Sequence, residues 1–208
     1  MKMKLERRQY MKKSVFLISS LLSLSLQAKV DMADPTAVYS SLGAEVNTAG
    51  VDMSVGVASG RHLALLESKD GFDKLKLTYA NMKDGQGFYT EVGGYSDVRN
   101  VSAGYIMTFK LDALVIYPVA MLGYTNNEVQ DDYDMTSTLG WYTRYKFADN
   151  FHLGLDPFYS SQYGSEYLDS LSTDLFVGYQ HGRHRVRLGV NMISNDEEQY
   201  FLNYKVAF

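Results

Sequence analysis

The sequence lacks three features that would place it in common structural classes. It has no cysteine among its 208 residues, so it forms no disulfide and carries no lipid-modified cysteine anchor. It has only three prolines, so long β-strands meet few interruptions. Beyond residue 28, no apolar run approaches the roughly 20 residues that a membrane-spanning helix needs. A membrane protein with this sequence must therefore cross the bilayer as a closed β-barrel.

The first residues have the order of a secretory signal peptide. Basic residues precede an apolar run from Val15 to Leu26, and Ala28 is a small residue suited to cleavage. The run is too short to span a bilayer as a helix. Met11 is followed by two lysines, which makes it an alternative start to Met1. We predict a cleaved signal peptide over residues 1–28 and one mature domain over residues 29–208.

The charge balance excludes one class of partner. The chain has 20 Lys and Arg against 24 Asp and Glu. Six of the basic residues but only one acidic residue, Glu6, precede the predicted cleavage site, so the mature domain is more acidic than the whole chain. A nucleic-acid-binding protein needs a basic surface, and we therefore expect no nucleic-acid partner.

Apolar and polar residues alternate along most of the mature domain, which is the pattern of β-strands. Five such stretches fill the C-terminal half; in one, Trp141 and Tyr145 share a face and Arg144 lies on the other. Seven more candidate strands precede them: Ala37–Val46, Val51–Ala58, Arg61–Glu67, Phe72–Ala80, Phe88–Tyr95, Val101–Lys110 and Ala113–Tyr124. A soluble β-sandwich would have a polar outer face. The pattern therefore favours an all-β fold, a closed antiparallel transmembrane barrel of twelve strands. Ten is the alternative if Phe88–Tyr95 belongs to an extracellular loop and one of the early strand pairs does not form.

The predicted connections alternate in length. Short turns at Lys110–Asp112, Ala148–Asn150 and His181–His184 alternate with acidic loops at Thr125–Asp134, Ser160–Asp169 and Ser194–Gln199. Outer-membrane barrels have short periplasmic turns and longer external loops. Pro118 and Pro157 lie inside strands, where each is expected to mark a bulge or a strand end.

The end of the chain and the order of its segments resemble those of known outer-membrane proteins. Tyr204 and Phe208 resemble the terminal strand signal that the barrel-assembly machinery reads. From Lys74 onward the chain resembles the YfaZ family of small outer-membrane proteins, in the following segments: Leu77–Ala80, the hairpin around Lys110, Ala148–Phe151, Asp156–Ser160 and Asp174–Val190. Against that pattern, Phe88–Arg99 is an insertion. The resemblance implies the outer membrane of a Gram-negative bacterium. Outer-membrane lipid, lipopolysaccharide, the assembly machinery and periplasmic chaperones are then the partners, with no cofactor. We expect a monomer.

The polar face of the strands predicts a charged lumen. Its cations are Lys74, Lys76, Arg144, Lys146, Arg185, Arg187 and Lys205, and its carboxylates are Asp52, Glu91, Asp156 and Asp174. The cationic excess predicts a narrow, weakly anion-selective pore for small solutes. Alternatively, ion pairs such as Asp174 with Arg187 fill the lumen of a barrel with a structural or surface-interaction role.

An enzyme that modifies outer-membrane lipid is not favoured by the histidine positions. His62, His152, His181 and His184 all lie at or beside predicted periplasmic turns, far from the outer leaflet. No metal site is predicted, because the His181 and His184 pair lacks an acidic third ligand. The acidic loop residues predict a solvated surface or divalent-cation bridges to lipopolysaccharide phosphates: Glu128, Asp131, Asp132, Asp134, Glu166, Asp169, Asp196, Glu197 and Glu198.

Overall fold

The computed structural model describes residues 30–69, 71–95, 98–127, 132–164, 168–194 and 197–208. The predicted signal peptide lies outside these ranges. Within them, no helix is both long enough and apolar enough to cross a membrane. Residues 30–207 form one compact unit built from β-strands.

Thirteen strand segments follow one another along the chain. They are β1 (Ser41–Asn47), β2 (Gly50–Ser59), β3 (His62–Lys69), β4 (Lys74–Lys83), β5 (Gln86–Tyr95), β6 (Val98–Ile106), β7 (Phe109–Leu111), β8 (Leu114–Asn127), β9 (Asp132–Ala148), β10 (Phe151–Tyr163), β11 (Leu168–His181), β12 (His184–Ile193) and β13 (Gln199–Ala207). Each pairs antiparallel with its neighbours, and the pairing of β1 with β13 closes the sheet into a barrel.

The barrel has twelve strands, because β6 and β7 are successive parts of one strand. Both pair with β8 in the same register, and only Met107 and Thr108 separate them. Pro118 of β8 accepts a hydrogen bond from the Met107 amide at 3.2 Å but has no N–H to return. The twelve-strand prediction is confirmed. The ten-strand alternative is wrong, because Phe88–Tyr95 lies within β5 as part of the wall.

Pro157 interrupts a second ladder. Residues 155–157 of β10 have no partner in β9, although the same register holds on both sides of this gap. The Thr143 amide instead donates to Asp156 Oδ1 at 3.2 Å. Both prolines therefore mark interruptions, as expected from the missing N–H. The second one also directs a carboxylate to the backbone of the neighbouring strand.

The two ends of the barrel differ in their connections. At one end, here called the short-turn end, all five hairpins have two-residue turns: 60–61, 84–85, 112–113, 149–150 and 182–183. In the turn Asp84-Gly85 both residues have positive φ (53° and 79°), which matches the right-handed twist of the flanking strands. The three short turns predicted from the sequence all lie at this end.

The opposite end, here called the long-loop end, has shorter loops than the sequence suggested. The strands β8 to β11 run to between 13 and 17 residues, longer than the roughly 9–11 that cross a bilayer. As a result Asp134 and Asp169 lie in strands, where they accept hydrogen bonds from Gln162 and Ser161. Four of the predicted loop acids lie outside the described residues: Glu128, Asp131, Glu166 and Asp196.

Candidate functional site in the lumen

The segment from Val30 to Ser40, here called the plug, lies inside the barrel at its short-turn end. It folds as two consecutive turns that each begin with aspartate. Asp31 Oδ1 accepts the Ala33 amide at 3.1 Å, and Asp34 Oδ1 accepts the amide of Thr36 at 2.8 Å. Aspartate favours such turns because its side chain can replace a backbone acceptor, and Pro35 fixes the second turn at its first central position.

The wall holds the plug mainly through the plug's own carbonyl groups. Arg144 Nε donates to the Ala33 carbonyl at 2.9 Å, and Arg185 donates to the carbonyl of Met32. Gln180 donates to the Val30 carbonyl at 2.6 Å and accepts the Met32 amide at 2.9 Å. Met32 is only 1% exposed and packs with Tyr39 and Ala207. The plug therefore obstructs the short-turn end of the lumen.

One ion pair ties the plug to the rim. Lys146 Nζ lies 2.5 Å from Asp31 Oδ2, and both side chains are about half exposed. Burial alone would raise the pKa of Asp31. The hydrogen bond and charge of Lys146, together with the Ala33 amide, outweigh that effect and hold the pKa below its ordinary value of 3.8. Lys146, predicted as a lumen charge, is thus an anchor for the plug.

Beside the plug, an apolar cluster fills part of the lumen. Its six buried residues project inward from β4, β5, β6 and β8: Ala80, Met82, Tyr89, Ile106, Tyr117 and Val119. Val38 of the plug packs against this cluster. On this side the barrel interior resembles the core of a soluble protein.

Part of the lumen enclosed by the described residues is open. A first cavity, of about 310 Å³, lies against the plug and is lined by charged residues and by members of the apolar cluster. A second, of about 320 Å³, lies toward the long-loop end. Three residues line both cavities: Lys69, Asp174 and Arg187. A solute that moves from one cavity to the other must pass these side chains.

The structure places all eleven predicted lumen charges on the inner side of the wall, but it pairs them differently. Arg144 forms a two-bond ion pair with Asp156 at 2.5 and 3.1 Å, and both side chains are almost fully buried. Lys76 contacts both Glu67 and Glu91 at 3.3 Å. Lys74 lies over the ring of Tyr95 and lines the second cavity, and Arg185, Arg187 and Lys205 line the first.

The expected ion pair between Asp174 and Arg187 is absent from the described part of the chain. The register places Asp174 opposite Asn191 and Arg187 opposite Gly178. Asp174 therefore accepts a hydrogen bond from the Asn191 amide at 2.5 Å. Two further inward carboxylates are also bound by amides, Glu45 by Asn203 at 3.0 Å and Asp52 by Asn47 at 2.9 Å.

The excess of cations over carboxylates in the lumen is smaller than the sequence predicted. The first cavity is lined by six cations, Lys69, Lys76, Arg144, Arg185, Arg187 and Lys205, and by five carboxylates, Asp34, Glu67, Glu91, Asp156 and Asp174. Three of these lining residues were not among the lumen charges predicted from the sequence: Glu67, Lys69 and Asp34. A signal for Glu67 was available, because strand pairing sets it directly opposite Lys76 on one face.

Aromatic rings cover the wall between β10 and β13. Phe176 lies between two guanidinium groups, with Arg144 and Arg187 at 4.9 and 4.8 Å from its ring centre. It has room there because glycines flank it: a Cβ at Gly154 would overlap its ring, and one at Gly189 would lie 2.5 Å from its own Cβ. This arrangement of rings and glycines was not predicted from the sequence.

The histidines do not form a catalytic or metal-binding group. His62 and His184 bind the hydroxyls of Tyr79 and Tyr204 at 2.8 and 2.6 Å. His152 is buried beside Phe176, with its Nε2 unbonded. Across the described residues, no three His, Asp or Glu side chains converge as metal ligands.

Comparisons with known proteins agree on the fold. No protein-family model matches the chain, and no curated protein matches its sequence. The COG4313 outer membrane channel from Pseudomonas putida F1 superposes with a TM-score of 0.58 at 9% identity, covering 88% of this chain and 100% of that one. The KdgM porin gives 0.54 at 10% identity, covering 82% and 99%.

A third similar structure is longer than this chain. OmpT, an outer membrane protein of Vibrio cholerae, has a TM-score of 0.45 and 12% identity, and only 64% of its length is covered. At these identities the likeness shows the fold alone. The chain has the antiparallel barrel fold of outer-membrane channels and porins.

Proposed function

We propose that this protein is an outer-membrane β-barrel of a Gram-negative bacterium that forms a narrow pore for small solutes, with a mild preference for anions. One observation carries the proposal: a closed barrel with an apolar outer face surrounds cavities whose lining includes charged residues, with Arg187 in the lining of both larger ones. Rings of Arg and Lys in a pore favour anions. On this reading the protein carries solutes and is not an enzyme.

The outer face supports membrane insertion. Large apolar residues project outward along the strands and are about half exposed, as Leu188 at 59% and Leu122 at 64% illustrate. A soluble protein rarely exposes one contiguous apolar surface of this extent. A lipid bilayer would cover it, with the short-turn end in the periplasm and the long-loop end outside.

The plug and the apolar cluster favour a second candidate, a structural or surface-interaction barrel whose lumen stays closed. Met32 is buried among wall residues and Ile106 is 2% exposed, so part of the lumen is packed at the short-turn end. The two candidates make different predictions about the plug. In a pore the plug is a removable obstruction, whereas in a closed barrel it is a permanent part of the core.

Single-channel recording in planar bilayers separates the two candidates. We expect small or rare conductance steps from the unaltered protein and larger steps after deletion of residues 30–36. A matched control replaces the same residues with a Gly-Ser segment of equal length, which keeps the chain length and removes both aspartate turns. Silence of both variants, with folding verified by heat-dependent gel migration, would establish the closed barrel.

We further propose membership of a YfaZ-like family and assembly by the barrel-assembly machinery. The support is the order of segments from Lys74 onward and the terminal residues, of which Tyr204 lies on the outer face of β13. Deletion of Phe208 should lower the folded yield in cells but not refolding in detergent. Equal yields in cells would refute the role of Phe208.

A further inference from the structure

Three cations on the inner faces of β12 and β13 have no acidic partner. Arg185 and Lys205 are direct register partners, and Arg187 follows Arg185 on the same face. All three line the cavity of about 310 Å³. No described carboxylate lies within 4.0 Å of any of them. A cluster of enclosed cations that form no ion pair is costly, so it favours the binding of an anion.

The guanidinium of Arg187 is held in place without being neutralised. Its carbon lies 4.8 Å from the ring centre of Phe176 and 5.9 Å from that of Phe201. Its Nε is buried and has no hydrogen-bond partner. Stacking on aromatic faces orients the group and leaves its N–H donors available. The position between the two cavities makes it the first cation of the cluster that a solute from the long-loop end would meet.

The carboxylates around the cluster have other partners. Asp174 accepts a hydrogen bond from the Asn191 side chain and Glu45 accepts one from the Asn203 side chain, whereas Glu67 pairs with Lys76. None of these carboxylates forms an ion pair with Arg187 or Lys205. The wall thus keeps positive charge unpaired in a site large enough for a small solute.

Arg185 links this cluster to the plug. It donates to the carbonyl of Met32, and its Nε is also without a partner. A peptide carbonyl is a neutral acceptor. A carboxylate or phosphate oxygen adds the attraction of its negative charge, and it can accept two guanidinium N–H groups at once. An anion in the cavity would therefore compete with the plug for Arg185.

We propose that Arg185, Arg187 and Lys205 form a binding site for a small anion with a carboxylate or phosphate group, and that its binding loosens the plug. The inference rests on the proposed pore, because the anion must reach the lumen from the long-loop end. It assigns a substrate class and a means of opening to that pore. The solute and the plug then compete for Arg185, so binding of the solute favours the open state.

Direct binding tests the site without any measurement of conduction. Calorimetry on the detergent-solubilised protein, with inorganic phosphate as the probe and chloride at matched ionic strength, should show saturable binding. Arg187→Gln and Lys205→Gln should each weaken it by roughly tenfold, the effect expected for a lost hydrogen bond to a charged group. Arg183→Gln, in the exposed turn before β12, should leave it unchanged. Equal binding by Arg187→Gln and the unaltered protein would overturn the site.

A second measurement follows the plug. The protein has no cysteine, so Ala33→Cys introduces a single thiol at a buried plug position. Phosphate should raise its rate of labelling by a maleimide, and adding Arg187→Gln should abolish that rise without changing the rate in chloride. Arg185→Gln should raise the rate in chloride, because the Met32 carbonyl loses its donor. If phosphate binds but labelling stays constant, the coupling is refuted.

These results are separable from the proposed pore. Binding with faster labelling but no conductance after plug deletion would refute the pore and leave the anion site standing. Conductance after plug deletion without phosphate binding would leave the pore standing and refute the site.

Discussion

The inner wall of the barrel has two unlike sides. From β4 to β8 many inward residues are apolar and pack into one cluster around Ile106 and Val119, although Lys74, Lys76 and Glu91 also face the lumen from β4 and β5. From β10 to β13 they are charged and aromatic, with rings lying flat over glycines. Both sides have the same alternation of inward and outward residues. The difference shows that period-2 patterning specifies a barrel, whereas the inward residue types decide whether a given part of the lumen is packed or open.

The first cavity lies between the two unlike sides. The plug contacts the apolar cluster through Val38. Ala80, Met82, Tyr89 and Ile106 of that cluster line the cavity opposite Arg187 and Lys205. A solute in the cavity would therefore meet fixed positive charge on one side, which strengthens selectivity in a narrow lumen.

On the charged side, the largest loss of stability is expected from breaking the buried ion pair between Arg144 and Asp156. Asp156→Leu should lower the free energy of unfolding by about 3–5 kcal/mol, because Arg144 would keep a buried charge without its partner. Urea unfolding in detergent, followed by fluorescence, measures the change. The double variant Asp156→Leu with Arg144→Leu should recover much of the loss. A loss as large from Asp174→Leu, which removes an amide-bound carboxylate, would show that burial and not pairing matters on this side.

A smaller effect is expected from disturbing the rings on the charged side. Gly189→Ala places a methyl group 2.5 Å from Phe176 Cβ and 2.8 Å from Phe201 Cζ, so the rings must shift. We expect a loss of about 1–3 kcal/mol in urea unfolding, the range for overpacking. Adding Phe176→Leu should relieve part of the loss. Additive losses in the double variant would mean that the methyl group acts elsewhere.

Much of the fold was predictable because its determinants are local. Alternation along each strand and the turn residues between strands predicted twelve strands and the short-turn end. Loop lengths were less accurate, because β8 to β11 continue through acidic positions such as Asp134 and Asp169. In these hairpins, hydrogen bonds to Gln162 and Ser161 support a strand where charge alone suggests a loop.

The candidate site was less predictable, because its contacts join residues far apart in the sequence. The turn signals of Asp31, Asp34 and Pro35 were readable directly after the predicted cleavage site. The position of these turns inside the barrel could not be predicted, since Arg144 and Arg185 lie 111 and 153 residues from the carbonyls that they bind. The surroundings of Phe176 were also only partly predictable. Its inward direction follows from the alternation along β11, but the space for its ring depends on glycines in two neighbouring strands.

The smallest predicted effect concerns the exposed rim where the plug meets the charged side. The pKa of Asp31 is held below 3.8 mainly by Lys146, so its charge helps to anchor the plug above that pH and is lost as the pH falls through the lowered value. The Ala33 amide, which donates to Asp31, reports this titration in the NMR spectrum of the protein in micelles. Its midpoint should lie below 3.8 and should move up in Lys146→Gln, which removes the charge that depresses it. Lys110→Gln, at the exposed end of β7, should leave the midpoint unchanged. If Lys146→Gln also leaves it unchanged, the rim ion pair does not hold the plug, and the hydrogen bonds from Arg144, Gln180 and Arg185 anchor it instead.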